Sequence, residues 1–213
     1  MDLKNKRILI TAGPTWVPID SVRVISNIAS GETGALLAKK LCRFNAKPTL
    51  LLGPGQRSCS NGKIRLKRFR FFDDLKKIIS RELSSKNYDI LIHTAAVSDY
   101  RPKTRLRKKV GSGKKLWRLN LLPTPKLIEL AKKIDPGVFL IGFKYEPDTK
   151  KLGLLSRAKR LLKLCDAGLV VANTTLRGRY QAYILSRAKI ITQASSKKDL
   201  ADKLIKTLIK IKR

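Results

Sequence analysis

Two short segments of this chain place small residues beside hydrogen-bonding side chains in a pattern suited to holding phosphate. The first, residues 11–34, reads TAGPTWVPIDSVRVISNIASGETG, with Gly13 near its start and Ser30, Gly31 and Gly34 where a helix begins. Residues without bulky side chains let backbone amides come close to an anion, and the first amides of a helix have no partner within it. The second segment, residues 94–102, reads TAAVSDYRP. There Ala95 and Ala96 leave space against a ligand, and Asp99 can accept bonds from ribose hydroxyls. Neither segment is a GxGxxG fingerprint or a Walker loop, and glycine-containing turns between strand and helix are common structural devices. Either segment alone reads equally well as a plain turn.

Both segments follow apolar runs that read as buried strands, at residues 7–11 and 89–93. Between them the pattern predicts a helix over 32–44 with Leu37, Leu41 and Phe44 on one face, a strand over 49–52, a break at Gly53-Pro54-Gly55, a strand over 64–69 and a helix over 73–83. Residues 101–115 are basic, carry Gly111 and Gly113 and show no apolar period, which predicts an exposed mobile flap. Beyond it come an extended arm over 116–122, a helix over 125–133 with Pro125 in its first turn, a strand over 138–143, a helix over 154–164 and a strand over 169–171. Residues 180–185 and 189–192 resemble an antiparallel hairpin, and Ser196 with Asp199 can cap a last helix whose Leu200, Leu204, Ile205, Leu208 and Ile211 form a stripe. This alternation predicts one α/β domain over 1–213: a mostly parallel sheet with helices on both faces, closed by a C-terminal hairpin plus helix. Ligands of such sheets sit beyond the carboxyl ends of the strands, where both phosphate-like segments fall.

Composition narrows the classes. The chain has 213 residues, 43% apolar and 30% charged, a globular balance. No run approaches a membrane span and the start shows no signal-peptide pattern, so a cytoplasmic protein is expected. Cys42, Cys59 and Cys165 are odd in number and lack metal-ligand spacing, which fits reduced thiols. The 48 Lys and Arg against 15 Asp and Glu give +33. That charge alone would suggest a polyanion partner, but it is spread over helix backs and no nucleic-acid motif accompanies it. Nucleic-acid binding, if it occurs, is expected to be non-specific and sensitive to salt.

Taken together, GPTWVPIDSVRVISNIASGETG, HTAAVSDYRP, PTPKLI, GFKYE and VVAN, in this order and at these separations, resemble phosphopantothenate-cysteine ligase over residues 7–173. The resemblance implies a free-standing form of the ligase half of the bifunctional coenzyme A biosynthesis protein, with a separate phosphopantothenoylcysteine decarboxylase as an expected partner. It also implies a Rossmann-like three-layer fold and a homodimer. The implied reaction joins 4'-phosphopantothenate to L-cysteine with CTP, or ATP, and Mg²⁺. A carboxylate is a poor acyl donor, so it first attacks the α-phosphate, releases pyrophosphate and forms an acyl-nucleotide that the amine of cysteine then opens. Cations must offset the repulsion between the first two substrates.

The resemblance carries over residue by residue. Lys109, with Lys108 as the register alternative, matches a phosphate-contacting lysine that closes with the flap. Asn27, in ISNIASG, matches an asparagine that contacts the acyl intermediate, although Ile28 and Ala29 depart from the usual Arg and Ser. Gly13, Ser30, Gly31, Thr94, Ala95, Asp99, Pro125, Lys126, Phe143 and Asn173 match nucleotide-binding positions. Asp20 and Arg23 match a pair associated with the substrate or dimer arm, and their spacing equally suits a local ion pair. Two family lysines fall at Leu161 and Cys165, with Lys159, Arg160 and Lys163 near enough to replace them. No metal ligand is assigned, and His93, the only histidine, is expected to be structural. Two other readings remain: a basic nucleic-acid-binding protein, or a nucleotide-binding relative without catalysis.

Overall fold

Leucine and isoleucine runs without polar alternation are best accommodated as strands covered on both faces. A computed structural model, which describes residues 1–55 and 62–211, places them so. In chain order the elements are β1 (Arg7–Ala12), β2 (Trp16–Pro18), β3 (Val24–Ser26), α1 (Glu32–Cys42), β4 (Lys47–Leu52), β5 (Arg65–Arg68), α2 (Phe72–Ser84), β6 (Ile90–His93), β7 (Tyr100–Pro102), β8 (Leu121–Pro123), α3 (Leu127–Ile134), β9 (Phe139–Tyr145), α4 (Lys151–Leu164), β10 (Leu169–Leu176), β11 (Arg179–Leu185), β12 (Ile190–Ala194) and α5 (Lys197–Lys210).

One eight-stranded sheet runs β12-β11-β10-β9-β6-β1-β4-β5. The six strands from β10 to β5 are parallel, and β11 and β12 extend the sheet as an antiparallel hairpin. The order reverses between β1 and β6, the switch point at which doubly wound sheets open a crevice. Successive strand residues face opposite ways. Ile8, Ile10, Leu50, Leu52, Ile90 and Ile92 pack on α1 and α5, while Leu9, Leu51 and Leu91 pack on the side of α2, α3 and α4. The result is the three-layer, Rossmann-like α/β fold, with the mostly parallel sheet and the C-terminal hairpin plus helix that the alternation predicts.

Several boundaries differ, each for a local reason. The first helix ends at Cys42, and Phe44 is 43% exposed rather than inward, because Asn45 turns the chain at φ 54 to enter β4. The third helix starts at Leu127, so Pro125 precedes it. The fourth helix begins at Lys151, and β10 runs on to Leu176 because its far half pairs with β11. Residues 14–28 contain an unanticipated two-stranded ribbon of β2 and β3, and β7 pairs with β8 at the two ends of the basic segment. Cys42 and Cys165 are free and buried, whereas Cys59 lies outside the described residues.

Helix α1 crosses β1 closely through Gly34, where an added methyl would stand 2.5 Å from Ala12 Cβ and 3.0 Å from Thr94 Oγ1. Neither neighbour can retreat, since one is in a buried strand and the other is hydrogen-bonded across the switch point. Gly34→Ala is therefore expected to destabilise the protein by about 1–3 kcal/mol through overpacking. Chemical denaturation checks this; an unchanged midpoint would show that the contact relaxes freely.

Candidate active site

Pairing between β1 and β6 does not stop where the strands end. Thr94 donates both its amide (3.0 Å) and its hydroxyl (2.7 Å) to the Thr11 carbonyl. The Ala96 amide then donates to the Gly13 carbonyl (2.9 Å), and the Thr15 amide to the Ala96 carbonyl (3.3 Å). These bonds carry residues 94–97 across the crevice at the switch point. Asn27 ties the ribbon to the same place, its Nδ2 donating to the carbonyls of Ala96 and Val97, each at 3.1 Å.

The glycines are required by close approach as well as by conformation. Gly13 and Gly31 have φ +82° and +78°, and a Cβ on Gly31 would lie 3.1 Å from Gly13 N and 2.9 Å from Leu52 Cδ1. Gly31 caps α1 with no side-chain acceptor of its own, and in the first turn the Glu32 amide donates to Ser30 Oγ (3.3 Å). An 11-residue helix also brings partial positive charge to this end.

The predicted nucleotide-binding residues other than Lys109 divide between two cavities on either side of residues 94–97, and Asn27 lines neither. One, about 630 Å³, is lined by Gly13, Ser30, Gly31, Thr94, Ala96 and Asn173, together with Tyr145, Thr175, Tyr180 and Lys197. The other, about 500 Å³, is lined by Ala95, Val97, Asp99, Pro125, Lys126 and Phe143, and by Lys144, Glu146, Arg157 and Arg160. Adjacent residues Thr94, Ala95 and Ala96 thus face alternate cavities, as extended backbone requires. Phe143 lines the second cavity while its side chain packs against the core cluster of α1 and α5.

Charge in the second cavity is mostly committed. Lys126 pairs with Asp99 at 2.5 Å, and Glu146 pairs with both Lys144 and Arg157. Arg160 has no ion pair among the described residues. It lines the cavity beside Leu161 and Cys165, whereas Lys159 and Lys163 do not. Burial, with the charge of Glu129 adding to it, pushes the Cys165 thiol up to about 11, so it remains a neutral wall. Among the described residues no three His, Cys, Asp or Glu converge on one point.

Lys109 lines neither cavity. Its neighbour Val110 is clamped instead: Asp20 Oδ2 accepts from the Val110 amide (3.1 Å) and Arg23 Nη1 donates to the Val110 carbonyl (3.1 Å). Asp20 and Arg23 form the local ion pair at 2.5 Å, and Arg23 also stacks over Trp117. Burial would raise the Asp20 carboxyl, but the amides of Val22, Val110 and Arg23 and the Arg23 guanidinium outweigh it and hold it well below the carboxylate range. The spacing of Asp20 and Arg23 announced the pair; nothing in sequence announced its long-range acceptor and donor. Tyr180 lies on the hairpin strand β11 and Thr175 on the part of β10 beyond the expected strand, outside every motif, while Lys144, Tyr145 and Glu146 are within view in GFKYE.

Sheet order, switch-point crevice and glycine turn define a doubly wound α/β protein. The chain belongs to the DNA/pantothenate metabolism flavoprotein C-terminal domain family, which matches residues 3–211. It is 38% identical over 173 residues to the coenzyme A biosynthesis bifunctional protein CoaBC of Thermococcus kodakarensis, covering 81% of this chain and 42% of that protein. The CoaBC protein of Methanocaldococcus jannaschii is 29% identical, covering 98% and 51%. The chain thus spans about half the length of these relatives. Its fold is similar to the DNA/pantothenate metabolism flavoprotein from Streptococcus pneumoniae, with a TM-score of 0.86, 24% identity and coverage of 96% of this chain and 98% of that one. A crystal structure of the CoaBC C-terminal domain gives 0.78 at 26% identity, covering 97% and 95%. A Cab2 mutant in complex with phosphopantothenate-cysteine gives 0.74 at 19% identity, covering 97% and 87%. Among the described residues no helix is long and apolar enough to cross a membrane.

His93 is buried at the end of β6, with Nδ1 2.9 Å from Thr11 Oγ1. Burial pushes its pKa down to about 4, so it is neutral in the folded protein. The unfolded chain takes up the proton near pH 6.5, and stability is therefore lost as pH falls from about 6.5 toward 4, with a slope of up to ~1.4 kcal/mol per pH unit. Carboxylates held low contribute only below their unfolded values, near 4. Between pH 5 and 6.5 the slope belongs to His93, and His93→Gln is expected to flatten it in denaturation series; an equal slope in both proteins would contradict the assignment.

Proposed function

We propose that this domain is a phosphopantothenate-cysteine ligase: it activates the carboxylate of 4'-phosphopantothenate with a nucleoside triphosphate, CTP before ATP, and transfers the acyl group to L-cysteine. The observation that carries this reading is the pair of cavities separated only by residues 94–97. Two anionic substrates bound on either side would have a carboxylate and an α-phosphate meet beside this strip. The relatives' coenzyme A biosynthesis names and the Cab2 complex support the same chemistry.

In this reading the cavity with Ala95, Asp99, Pro125, Lys126 and Phe143 takes the nucleotide. Asp99 meets ribose hydroxyls once Lys126 turns to phosphate, and Arg160 supplies charge in place of the family lysines. The glycine turn at Gly13, Ser30 and Gly31 takes the phosphate of phosphopantothenate, and Asn173 lines the same cavity. Substrate carboxylate oxygen attacks the α-phosphorus, pyrophosphate leaves, and the amine nitrogen then attacks the acyl carbon, losing a proton as the nucleoside monophosphate departs. Mg²⁺ arrives with the triphosphate and offsets its charge. Asn27 holds the 96–97 carbonyls before substrate enters, so donation to the acyl oxygen requires its amide to exchange partners. Release of Val110 from Asp20 and Arg23 frees the basic segment to bring Lys109 over the phosphates.

Pyrophosphate release dependent on phosphopantothenate, measured with CTP and with ATP, tests the reading; release independent of it, or none, overturns the ligase. Asn27→Asp is expected to release pyrophosphate and accumulate acyl-nucleotide while forming little amide, since a new carboxylate would oppose the developing oxyanion. Lys109→Gln should slow triphosphate use from the first step, and an unchanged rate would remove Lys109 from the site.

The ribbon also supports a homodimer. Val22 is 62% exposed and Ile28 fully exposed, beside half-exposed Val24, a concentration of apolar surface that a second copy would cover. Sedimentation at assay concentration is expected to show a dimer; an active monomer would contradict it.

A further inference from the structure

Two polar atoms in the glycine-turn cavity have no hydrogen-bond partner although both are buried: Asn173 Oδ1 and Tyr180 Oη. The sheet brings them together. Tyr145 pairs with Asn173 between β9 and β10, and Thr175 pairs with Tyr180 between β10 and β11. Steps of two residues keep Asn173 and Thr175 on one face, so Tyr145, Asn173, Thr175 and Tyr180 form a row across the cavity. Thr174 Oγ1, also without a partner, belongs to a residue that does not line this cavity.

An unmade hydrogen bond at a buried group costs about 1–3 kcal/mol, and folded proteins rarely leave one without cause. Burial pushes the Tyr180 phenol well above its ordinary range, with the neighbouring Asn173 side chain offsetting part of the rise. The hydroxyl therefore keeps its proton and is a donor in search of an acceptor, while Asn173 Oδ1 is an acceptor in search of a donor. The row itself carries no charge, and Lys197 on the cavity wall is already paired with Glu32. Its complement is a neutral chain offering a carbonyl to Tyr180 and an N–H or O–H to Asn173. A secondary amide with a neighbouring hydroxyl has these groups, and phosphopantothenate carries both between its phosphate and its carboxylate.

We infer that Tyr180, with Asn173, selects the acyl substrate of the proposed ligase by pairing with its hydroxy-amide chain while the glycine turn holds its phosphate. The inference rests on the ligase reading and goes beyond it in assigning a specificity residue on the antiparallel extension of the sheet, outside every motif that carries the resemblance.

The test uses the full chain and Tyr180→Phe, with Asn173→Ala as the second variant. Melting temperature is measured with and without phosphopantothenate, and KM is measured separately for phosphopantothenate and for the nucleotide. Because the hydroxyl is unpaired in the free protein, Tyr180→Phe should melt at the same temperature as wild type or higher. It should raise KM for phosphopantothenate roughly tenfold, the worth of one hydrogen bond, shrink the stabilisation by that ligand and move KM for the nucleotide by less than about twofold. A lowered melting temperature with unchanged KM would make the hydroxyl structural, and a rise confined to the nucleotide KM would reassign the row to the other substrate; either overturns the inference while leaving the ligase intact. A wild-type chain that is neither stabilised by phosphopantothenate nor active on it overturns the ligase and the inference together.

Discussion

The crossing of β1 and β6 governs the rest of the molecule. Their parallel pairing is the point at which sheet order reverses, and helices must leave in opposite directions from it. A crevice there is unavoidable. What is particular to this chain is that the crevice is bridged: Thr11, Gly13 and Thr15 exchange hydrogen bonds with Thr94 and Ala96 beyond the last residues of the strands. A single open cleft becomes two cavities with a shared wall one strand thick. Alternation along residues 94–96 then decides which side chain faces which ligand, and Gly34 lets α1 come close enough to form the wall of one of them.

The ribbon between β1 and α1 is coupled to the basic segment through one buried acid. Asp20 has its side chain out of solvent and accepts from three backbone amides as well as from Arg23. A carboxylate buried this way must be fully paired, because the desolvation of an unpaired charge would exceed anything the ribbon gains by packing. Both polar groups of the Val110 peptide are consumed in satisfying the pair. Two segments about ninety positions apart are thereby held by a few charge-assisted bonds rather than by a core, an arrangement that can be broken and remade without disturbing the sheet.

The excess of positive charge has several structural uses. The edge strand β5 carries Arg65 and Lys67, both paired to the buried Glu82 of α2, where cationic side chains discourage a second sheet from adding to the edge. Lys40 and Lys197 pair with acids across the α1 and α5 layer. Exposed pairs of this kind contribute roughly 0–1 kcal/mol each, so they do not account for the sign of the surface. In the second cavity several cations are matched by Asp99 and Glu146 and would have to exchange partners to meet phosphate.

The sequence by itself determined the layers and the ends of the two strands that meet at the crevice. Apolar runs such as residues 7–11 and 89–93 contain no alternation and have to be buried on both sides, and Gly13, Gly31 and Gly34 stand where only glycine tolerates the backbone or the contact. The motifs in ISNIASG and TAAVSDYRP marked the crevice because the residues that border it are consecutive in the chain. Tertiary structure alone decided how those residues are shared between two cavities, since that depends on which face each presents after the bridge. It alone placed Tyr180, whose neighbour Asn173 is brought close by strand register rather than by a motif, and it alone joined Asp20 to Val110. Periodicity and short motifs report what a residue does within its own element. Partnerships across elements are set by register and crossing geometry, and single-sequence patterns do not encode those directly.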